Sequence, residues 1–201
     1  MIIVSTDGSC LRNPGGAIGW AWVGHNGSSA CGGAASGTNQ IAELRAVLEA
    51  ILAHPGPDPL LIESDSLYAI KCASEWIFGW RMNGWRTSTG APVKNVEIIK
   101  QIDRAIAGRP GPVRFRWVRG HVGNYFNEKA DALAGQAARE AAAAAALGEV
   151  DTVEMAAVTP QAVTPQAVTL QEVPRAQEKT TGPRASGKAA APQAPQAMTL
   201  F

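Results

Sequence analysis

In TNQIAELRAVLEAILAHPG, residues 38–56, the spacing of apolar residues changes from that of strands to that of a helix. Apolar residues three and four positions apart form one stripe along a helix. The stripe consists of Ile41, Leu44, Leu48, Ile51 and Leu52. The sequence His54-Pro55-Gly56 then ends the helix. The stretch therefore predicts one amphipathic helix that packs on a sheet.

The segments on either side of this helix predict the strands of that sheet. Before it, alternating apolar residues and a turn at Asn26-Gly27 predict strands at residues 2–4, 18–23 and 28–35. After it, strands are predicted at 60–62 and 113–118, and helices at 67–77, 96–106 and from Asn127 onward. The alanine run 141–146 continues the last helix but offers little to pack with. We predict an α/β (mixed α+β) fold with a five-stranded mixed sheet flanked by helices.

Composition limits where such a protein can reside. The chain has 201 residues, of which 46% are hydrophobic and 17% charged. No apolar run approaches the roughly 18 residues that cross a bilayer, and residues 1–7 lack the features of a signal peptide. We expect a cytoplasmic protein without a membrane partner. Its three cysteines are expected to be free thiols, because their number is odd and no CxxC pair is present.

The composition changes sharply near residue 147. All six tryptophans and both tyrosines lie at or before Tyr125, whereas residues 147–201 hold a single aromatic residue and six of the 13 prolines. Repeats of AVTPQ start at Ala157, with a period far below that of solenoid folds. A segment so poor in large apolar residues cannot bury a core. We predict a folded domain over residues 1–146 and a disordered Ala/Pro/Gln-rich tail over 147–201.

Two aspartates follow predicted strands that can lie side by side. Asp7 comes directly after the first strand, and Asp65 directly after the strand at 60–62. Ligands of α/β sheets bind beyond the carboxyl ends of strands, and hard divalent cations prefer oxygen donors. The two residues are therefore candidate metal ligands. Each also fits an ordinary role, in a helix cap or a glycine-containing turn.

Three further titratable residues have both a chemical and a structural interpretation. Glu43 lies roughly 130° from the centre of the apolar stripe, so that periodicity predicts a solvated side chain. Asp131, in the first turns of the last helix, suits the helix dipole. His121 lies in the glycine-flanked loop RGHVGN, where an exposed imidazole can transfer protons or have no role. His25 and His54 fit structural positions.

Taken together, four motifs resemble type 1 ribonuclease H, the enzyme that cuts RNA in RNA–DNA hybrids. They are TDGSCLRNPGG at 6–16, TNQIAELRA at 38–46, ESDSLYAIK at 63–71 and RGHVGNYFNEKADALA at 119–134. Signatures of the WxxxWxxxxWxT and PVKNV type lie at 76–96. The similarity extends over about residues 1–140, and the joint occurrence of these motifs in this order is highly specific. It implies the ribonuclease H-like fold.

The resemblance implies a catalytic set of Asp7, Glu43, Asp65, His121 and Asp131. The four acids would hold two Mg²⁺ ions, with Mn²⁺ as an alternative, and His121 would assist proton transfer or product release. Two such ions clamp the attacking and leaving oxygens of a displacement. The implied products carry 5′-phosphate and 3′-hydroxyl ends, and the implied roles are the removal of R-loops and of primers during replication. A monomer is implied as well.

The resemblance also implies a substrate-binding set, which must detect the 2′-hydroxyl that distinguishes RNA from DNA. The set consists of Cys10, Asn13, Thr38, Asn39, Gln40, Trp80, Trp85, Arg86 and Asn127. For Cys10 and Asn13 the alternative is a plain turn, and for the tryptophans it is helix packing. Arg12 replaces a usual glycine, a change that adds a phosphate contact or alters the turn. Met82-Asn83 and Ser88-Thr89-Gly90 replace more basic residues of the protrusion that grips DNA. We therefore expect a weaker grip on the hybrid.

The net charge of +1 does not argue against nucleic acid as the substrate. Residues 1–146 carry 14 Lys and Arg against 12 Asp and Glu, a net charge of +2, whereas residues 147–201 carry 4 against 5, a net charge of −1. With four acids assigned to metal ions, the remaining surface of the domain has 14 cations against 8 anions. Such an excess favours phosphate binding.

The last six residues, Gln196–Phe201, carry three large apolar side chains at the end of the predicted tail. The segment QAMTLF resembles the peptide by which bacterial proteins bind the sliding clamp, and a short peptide on a flexible tether suits such docking. An unselected terminus or a degradation signal are alternatives. For the whole chain, the alternatives to a hybrid-specific endonuclease are a catalytically silent hybrid-binding module and a nuclease of the same fold that acts on other nucleic acids.

Overall fold

The computed structural model describes residues 1–148, and it contains the predicted five-stranded mixed sheet. The strands lie in the order β3-β2-β1-β4-β5. Their bounds are β1 Ile2–Cys10, β2 Ile18–Gly24, β3 Ser29–Ala34, β4 Leu60–Ser64 and β5 Val113–Trp117. The first three strands pair antiparallel, and β4 and β5 add in parallel. The fold-class prediction is confirmed.

The predicted disordered tail and the motif at 196–201 lie outside the described residues, apart from the turn at 147–148.

Helices cover both faces of the sheet. Their bounds are α1 Asn39–Leu52, α2 Leu67–Lys71, α3 Ile77–Met82, α4 Val96–Gly108 and α5 Tyr125–Ala146, with a π-helical segment Cys72–Trp76 between α2 and α3. The predicted range 67–77 therefore ends too early. The helical path continues to Met82 because Ile77 is buried and Trp80 packs on the core beside it. Among the described residues, no helix is long and apolar enough to cross a membrane.

The main core lies between the sheet and α1, as the periodicity of residues 38–56 predicts. Thr38 caps this helix, since its Oγ1 accepts a hydrogen bond from the backbone N–H of Ile41 at 3.3 Å. Leu44 and Ile51 from α1 are buried with Ile62 of β4 and Val4 of β1. Burial of such side chains stabilises the fold by roughly 1.5–3 kcal/mol each. The helix is therefore held firmly over the central strands, where the site residues lie.

On the opposite face, α5 packs closely on the antiparallel strands. A Cβ atom added to Gly19 of β2 would lie within 3.0 Å of backbone atoms of Ala134 and Ala138. Ala137 and Ala141 are buried as well. The expectation that the alanine run has little to pack with is thus wrong for its first part, because glycines in the strands let small helical side chains approach the sheet.

Candidate active site

Three carboxylates from three different elements meet at the end of the two central parallel strands. Asp7 lies in β1, Asp65 directly follows β4, and Glu43 lies in α1. One ligand oxygen from each lies within 4.8 Å of the other two. The parallel register pairs Thr6 with Ser64, so the two aspartates come next to each other along neighbouring strands. The two aspartates share one crevice as predicted, but Asp7 lies within β1 and not after it, because pairing with β2 continues the strand to Cys10.

Glu43 is buried, which corrects the prediction from periodicity that its side chain is solvated. Only 7% of the residue is exposed. The reason lies outside the helix: a Cβ atom on Gly8 would come within 3.0 Å of the backbone of Ala42 and Glu43. Glycine in β1 lets α1 approach so closely that its polar side faces the strand end. Arg45, two residues further along α1, pairs with Glu49 at 2.7 Å.

The cluster raises the pKa values of its own carboxyls. Burial, followed by the charges of Asp65 and Asp131, raises the pKa of Asp7 to about 8, although the N–H of Gly8 donates to its Oδ1 at 2.7 Å. Burial, followed by the charges of Asp7 and Asp65, raises the pKa of Glu43 well above its ordinary value. Burial also raises the pKa of Asp65. Three adjacent negative charges are therefore unfavourable without a cation.

Asp131 lies near the cluster but outside its ligand group. Its side chain, on α5, is 47% exposed, and its Oδ2 lies 3.8 Å from Nδ1 of His121. Its charge raises the pKa of Asp7, so the two carboxyls are close enough to interact. The structure thus brings three of the four predicted acids together and places the fourth beside the predicted histidine.

His121 lies in an exposed loop that contacts Asp65. Its side chain is 77% exposed, and its backbone has a positive φ of 54°. A Cβ atom on the preceding Gly120 would overlap the carboxylate of Asp65. The loop therefore passes directly over the site while the imidazole stays open to solvent, which suits a group that exchanges protons with water.

The predicted minor-groove residues gather at one edge of the cluster. The backbone N–H of Asn39 donates to Oδ1 of Asn13 at 3.4 Å, which joins the loop after β1 to the start of α1. Cys10 lies under this loop, with its Sγ 3.3 Å from the carbonyl oxygen of Arg12. Gln40 has a buried Oε1 that has no hydrogen-bond partner within residues 1–148. The side chain of Asn39 lies close enough to Glu43 to lower the pKa of its carboxyl, against the larger effect of burial.

The segment predicted to grip DNA forms an open groove of about 570 Å³. Trp80 and Arg86 line it, as do Trp76 and Asn83. Trp85 does not line it. Instead Trp85 packs against the core, with the ammonium of Lys100 5.7 Å from its ring. Of the predicted residues here, two lie on the groove, and the third fits the alternative interpretation of helix and core packing.

Two residues behave differently from what the sequence suggests. Asn127, predicted to bind substrate, is only 2% exposed, and its Nδ2 has no hydrogen-bond partner within the described residues. The sequence analysis did not predict a role for Glu63. It is buried in β4 and accepts hydrogen bonds from Ser5 at 2.9 Å and from Arg116. Its acidic side chain in an otherwise apolar strand was the available signal.

A mixed sheet with a carboxylate cluster at the ends of its central strands defines a nuclease of the ribonuclease H-like class. The chain belongs to the ribonuclease H family, whose model, described as RNase H, matches residues 1–139. The predicted membership of type 1 and the enzymatic activity are confirmed.

Known relatives agree with this membership. Ribonuclease H of Tropheryma whipplei (strain Twist) is 46% identical over 138 residues, which is 68% of this chain and 84% of that protein. Ribonuclease H of Paracidovorax citrulli (strain AAC00-1) is 44% identical over 136 residues, 66% of this chain and 91% of that protein. The crystal structure of LC9-RNase H1, a type 1 RNase H with the type 2 active-site motif, is 25% identical with a TM-score of 0.59 and covers 86% of this chain and 97% of that one.

Proposed function

We propose that this ribonuclease H hydrolyses the RNA strand of RNA–DNA hybrids at the Asp7, Glu43 and Asp65 cluster, with Asp131 as a fourth acid. The products are proposed to carry 5′-phosphate and 3′-hydroxyl ends. The observation that carries the proposal is the approach of three carboxylate oxygens within 4.8 Å of one another. Such an arrangement is unfavourable for the apo protein, and a divalent cation compensates it.

The donor set fits Mg²⁺, with Mn²⁺ as an alternative, because all its ligands are oxygens. The buried Oε2 of Glu43 has no hydrogen-bond partner within residues 1–148, so it is available as a ligand. Two ions are proposed, with Asp131 serving the more exposed side. Bound ions of this kind lower the pKa of coordinated water and neutralise charge that develops on the leaving oxygen.

The protein's own groups orient these ligands. The N–H of Gly8 fixes Asp7 through a 2.7 Å hydrogen bond, and the nearby side chain of Asn39 favours the charged form of Glu43. His121, 3.8 Å from Asp131, is proposed to carry a proton between the site and water and to aid product release. Because the imidazole is exposed and contacts no other described acid, its role concerns turnover rather than the binding of substrate.

Substrate selection is proposed to come from two surfaces. Asn13, Asn39, Gln40 and Cys10 are proposed to read the minor groove, where the 2′-hydroxyl of RNA lies. Thr38 is proposed to contact the DNA backbone.

The groove lined by Trp80 and Arg86 is proposed to hold the DNA strand, since cationic and aromatic groups suit that contact. Trp85 is proposed to support the groove from the core. Arg81 contributes little charge, because it is paired with Asp103. We propose for Asn127 an indirect role, in which it places the start of α5, and with it Asp131, near the site.

In the cell, the enzyme is proposed to act as a cytoplasmic monomer that removes R-loops and replication primers. Residues 147–201 are proposed to be a disordered tether, and residues 196–201 to bind the sliding clamp. The resemblance of QAMTLF to clamp-binding peptides supports this last step.

The test is the cleavage of a labelled RNA–DNA hybrid, an RNA duplex and a DNA duplex with Mg²⁺. The wild type is expected to cut only the RNA of the hybrid, and Asp65→Asn is expected to lose that activity. Asp58→Asn makes the same chemical change at an exposed position outside the cluster and is expected to cut normally. Binding of the hybrid without cleavage would indicate a silent binding module, and cleavage of the other duplexes a nuclease of broader specificity.

A further inference from the structure

An arginine–aromatic surface lies on the sheet face that also carries α5, next to the active site. We define it by Arg114, Arg116, His25, Phe126 and Tyr125. Arg114 and Arg116 project from the edge strand β5, at the positions paired with Leu61 and Glu63. Because α5 packs on β1, β2 and β3, both arginines remain exposed beside it.

Contacts make this surface continuous. Glu63 accepts hydrogen bonds from Arg116 through Oε1, and its Oε2 lies 3.2 Å from Nε2 of His25. The ring of His25 stacks on Phe126 with centroids 3.8 Å apart, and Phe126 contacts Tyr125 edge-on at 5.1 Å. The buried carboxylate thus holds the cation and the rings in place, and such preorganisation lowers the entropic cost of binding.

The surface is cationic and offers a free aromatic ring. Among residues 1–148, neither Arg114 nor the nearby Arg119 forms a salt bridge, and half of the Arg116 side chain is exposed although it pairs with Glu63. Tyr125 is 66% exposed. Arginines on an edge strand also discourage pairing with another sheet, but that role does not require exposed aromatic side chains. Cations beside a ring that bases can stack on suit single-stranded nucleic acid.

The position of the surface indicates which strand would reach it. Asp7 and Ser5 lie on the same face of β1, opposite to the face that Gly8 turns toward α1, and Ser5 donates to Glu63 at 2.9 Å. The strand that lies on Asp65 during the reaction is the one that is cut. A chain leaving the scissile position across this face therefore passes from the cluster to the surface.

We infer that the arginine–aromatic surface binds an unpaired extension of the RNA strand, so that hybrids with an RNA overhang are preferred over blunt ones. The inference rests on the proposed function, because it assigns the bound strand by the strand that is cut.

The test compares three hybrids of equal paired length: one blunt, one with an eight-nucleotide RNA extension at the 5′ end and one with the same extension at the 3′ end. The wild type is expected to have a KM about threefold to tenfold lower for one extended hybrid than for the blunt one. The double variant Arg114→Gln/Tyr125→Ala is expected to lose this preference and to cut the blunt hybrid as the wild type does. Arg104→Gln, an exposed arginine on α4, is the matched control and is expected to keep the preference.

The outcomes separate the two proposals. A wild type that cuts all three hybrids with the same KM would contradict the proposed RNA-binding role of the surface and leave the proposed function intact. So would a double variant that retains the preference. If the double variant melts at a lower temperature, the KM of each single variant is measured over a range of salt concentrations. Removal of an arginine that binds phosphate should reduce the salt dependence of KM. A wild type that cuts none of them contradicts the proposed function itself.

Discussion

Gly8 of β1 and Glu43 of α1 are in backbone contact range, and this approach turns a helical position predicted to be solvated into a buried ligand of the acidic cluster. The helix cannot retain this position if β1 carries a side chain there, since a Cβ atom would overlap two successive residues of α1. The geometry of the site therefore depends on a residue that takes no part in its chemistry.

Gly8→Ala is expected to separate α1 from β1 and to displace Glu43. Because the overlapping atoms are backbone, the strain cannot be relieved by a change of rotamer, and we expect a loss of about 2–4 kcal/mol of stability. Cleavage of the hybrid should fall at least tenfold, even at temperatures where the variant is folded. Thermal melting by circular dichroism and initial cleavage rates measure the two effects.

The matched control is Gly79→Ala in α3, where an added Cβ atom meets nothing within 4 Å. It is expected to be neutral or to stabilise the helix by about 0.5–1 kcal/mol. Equal melting temperatures for Gly8→Ala and the wild type would show that α1 tolerates the displacement and would contradict the packing argument.

Stability without metal is expected to depend on pH through Asp7. Its pKa is raised to about 8 in the folded state from an ordinary value of 3.8, so between these values the folded protein binds more protons than the unfolded one. The stability of the metal-free enzyme must therefore fall as the pH rises from about 4 to about 8. Asp7→Asn removes the part of this dependence that Asp7 contributes, whereas Glu43 and Asp65, whose pKa values are also raised, keep theirs.

In EDTA at pH 8, Asp7→Asn is therefore expected to be more stable than the wild type by about 1–3 kcal/mol, at roughly 1.4 kcal/mol for each pKa unit that counterions do not offset. At pH 4 the difference should vanish. Urea unfolding at both pH values measures it, with Asp58→Asn as the control. Mg²⁺ should stabilise the wild type and not Asp7→Asn; an equal effect on both would place the ion elsewhere.

The sequence predicts those parts of the site whose position follows from the pattern of apolar residues in the strands. Asp7 and Asp65 could be placed together because each follows an apolar run, at 2–4 and 60–62, and these two runs pair in parallel; the continuation of β1 through Asp7 to Cys10 was not predicted. Glu43 could not be placed, since helical periodicity reports the average orientation of α1 and not how closely it approaches β1. The same limit explains the buried alanines of α5, because their partner glycine, Gly19, lies over 100 residues earlier. Resemblance to a family identified Glu43 where periodicity did not.

His121→Ala is expected to slow turnover by about 10-fold to 100-fold, which is at or below the lower end of general acid–base contributions. Its effect on KM should be smaller than threefold, because the side chain is 77% exposed and contacts only Asp131 among the described acids. Steady-state and single-turnover rates separate the chemical step from product release. Val122→Ala alters an exposed neighbour in the same loop and should leave both constants unchanged. A rise in KM alone would assign His121 to substrate binding.

Deletion of residues 196–201 is expected to leave the cleavage of free hybrids unchanged and to abolish retention on a column that carries the sliding clamp. The chemistry of the peptide lies in its large apolar side chains, so the double variant Leu200→Ala/Phe201→Ala should behave as the deletion does. Gln193→Ala lies outside the motif and serves as the control. Equal retention of the deleted and intact chains would contradict the docking proposal.

Glu63→Gln is expected to destabilise the enzyme at neutral pH, because the amide keeps the shape of the side chain but loses the charge that binds Arg116 and His25. A loss of about 1–3 kcal/mol is expected for a hydrogen-bonded, charged and buried group. Burial raises the pKa of Glu63, but the hydrogen bonds from Arg116 and Ser5 outweigh it, so that the pKa lies below the ordinary 4.5. The stabilisation is therefore complete above about pH 5 and is lost as the pH falls through the lowered value.

Urea unfolding of the wild type and Glu63→Gln from pH 7 to pH 3 tests this dependence, and the two curves should converge at the acid end. Glu97→Gln is the matched control. It makes the same chemical change in a side chain that is 73% exposed and pairs with Lys100, where an ion pair contributes at most about 1 kcal/mol. A difference between wild type and Glu63→Gln that persists unchanged at pH 3 would show that packing, and not the charge of Glu63, holds Arg116 and His25 together.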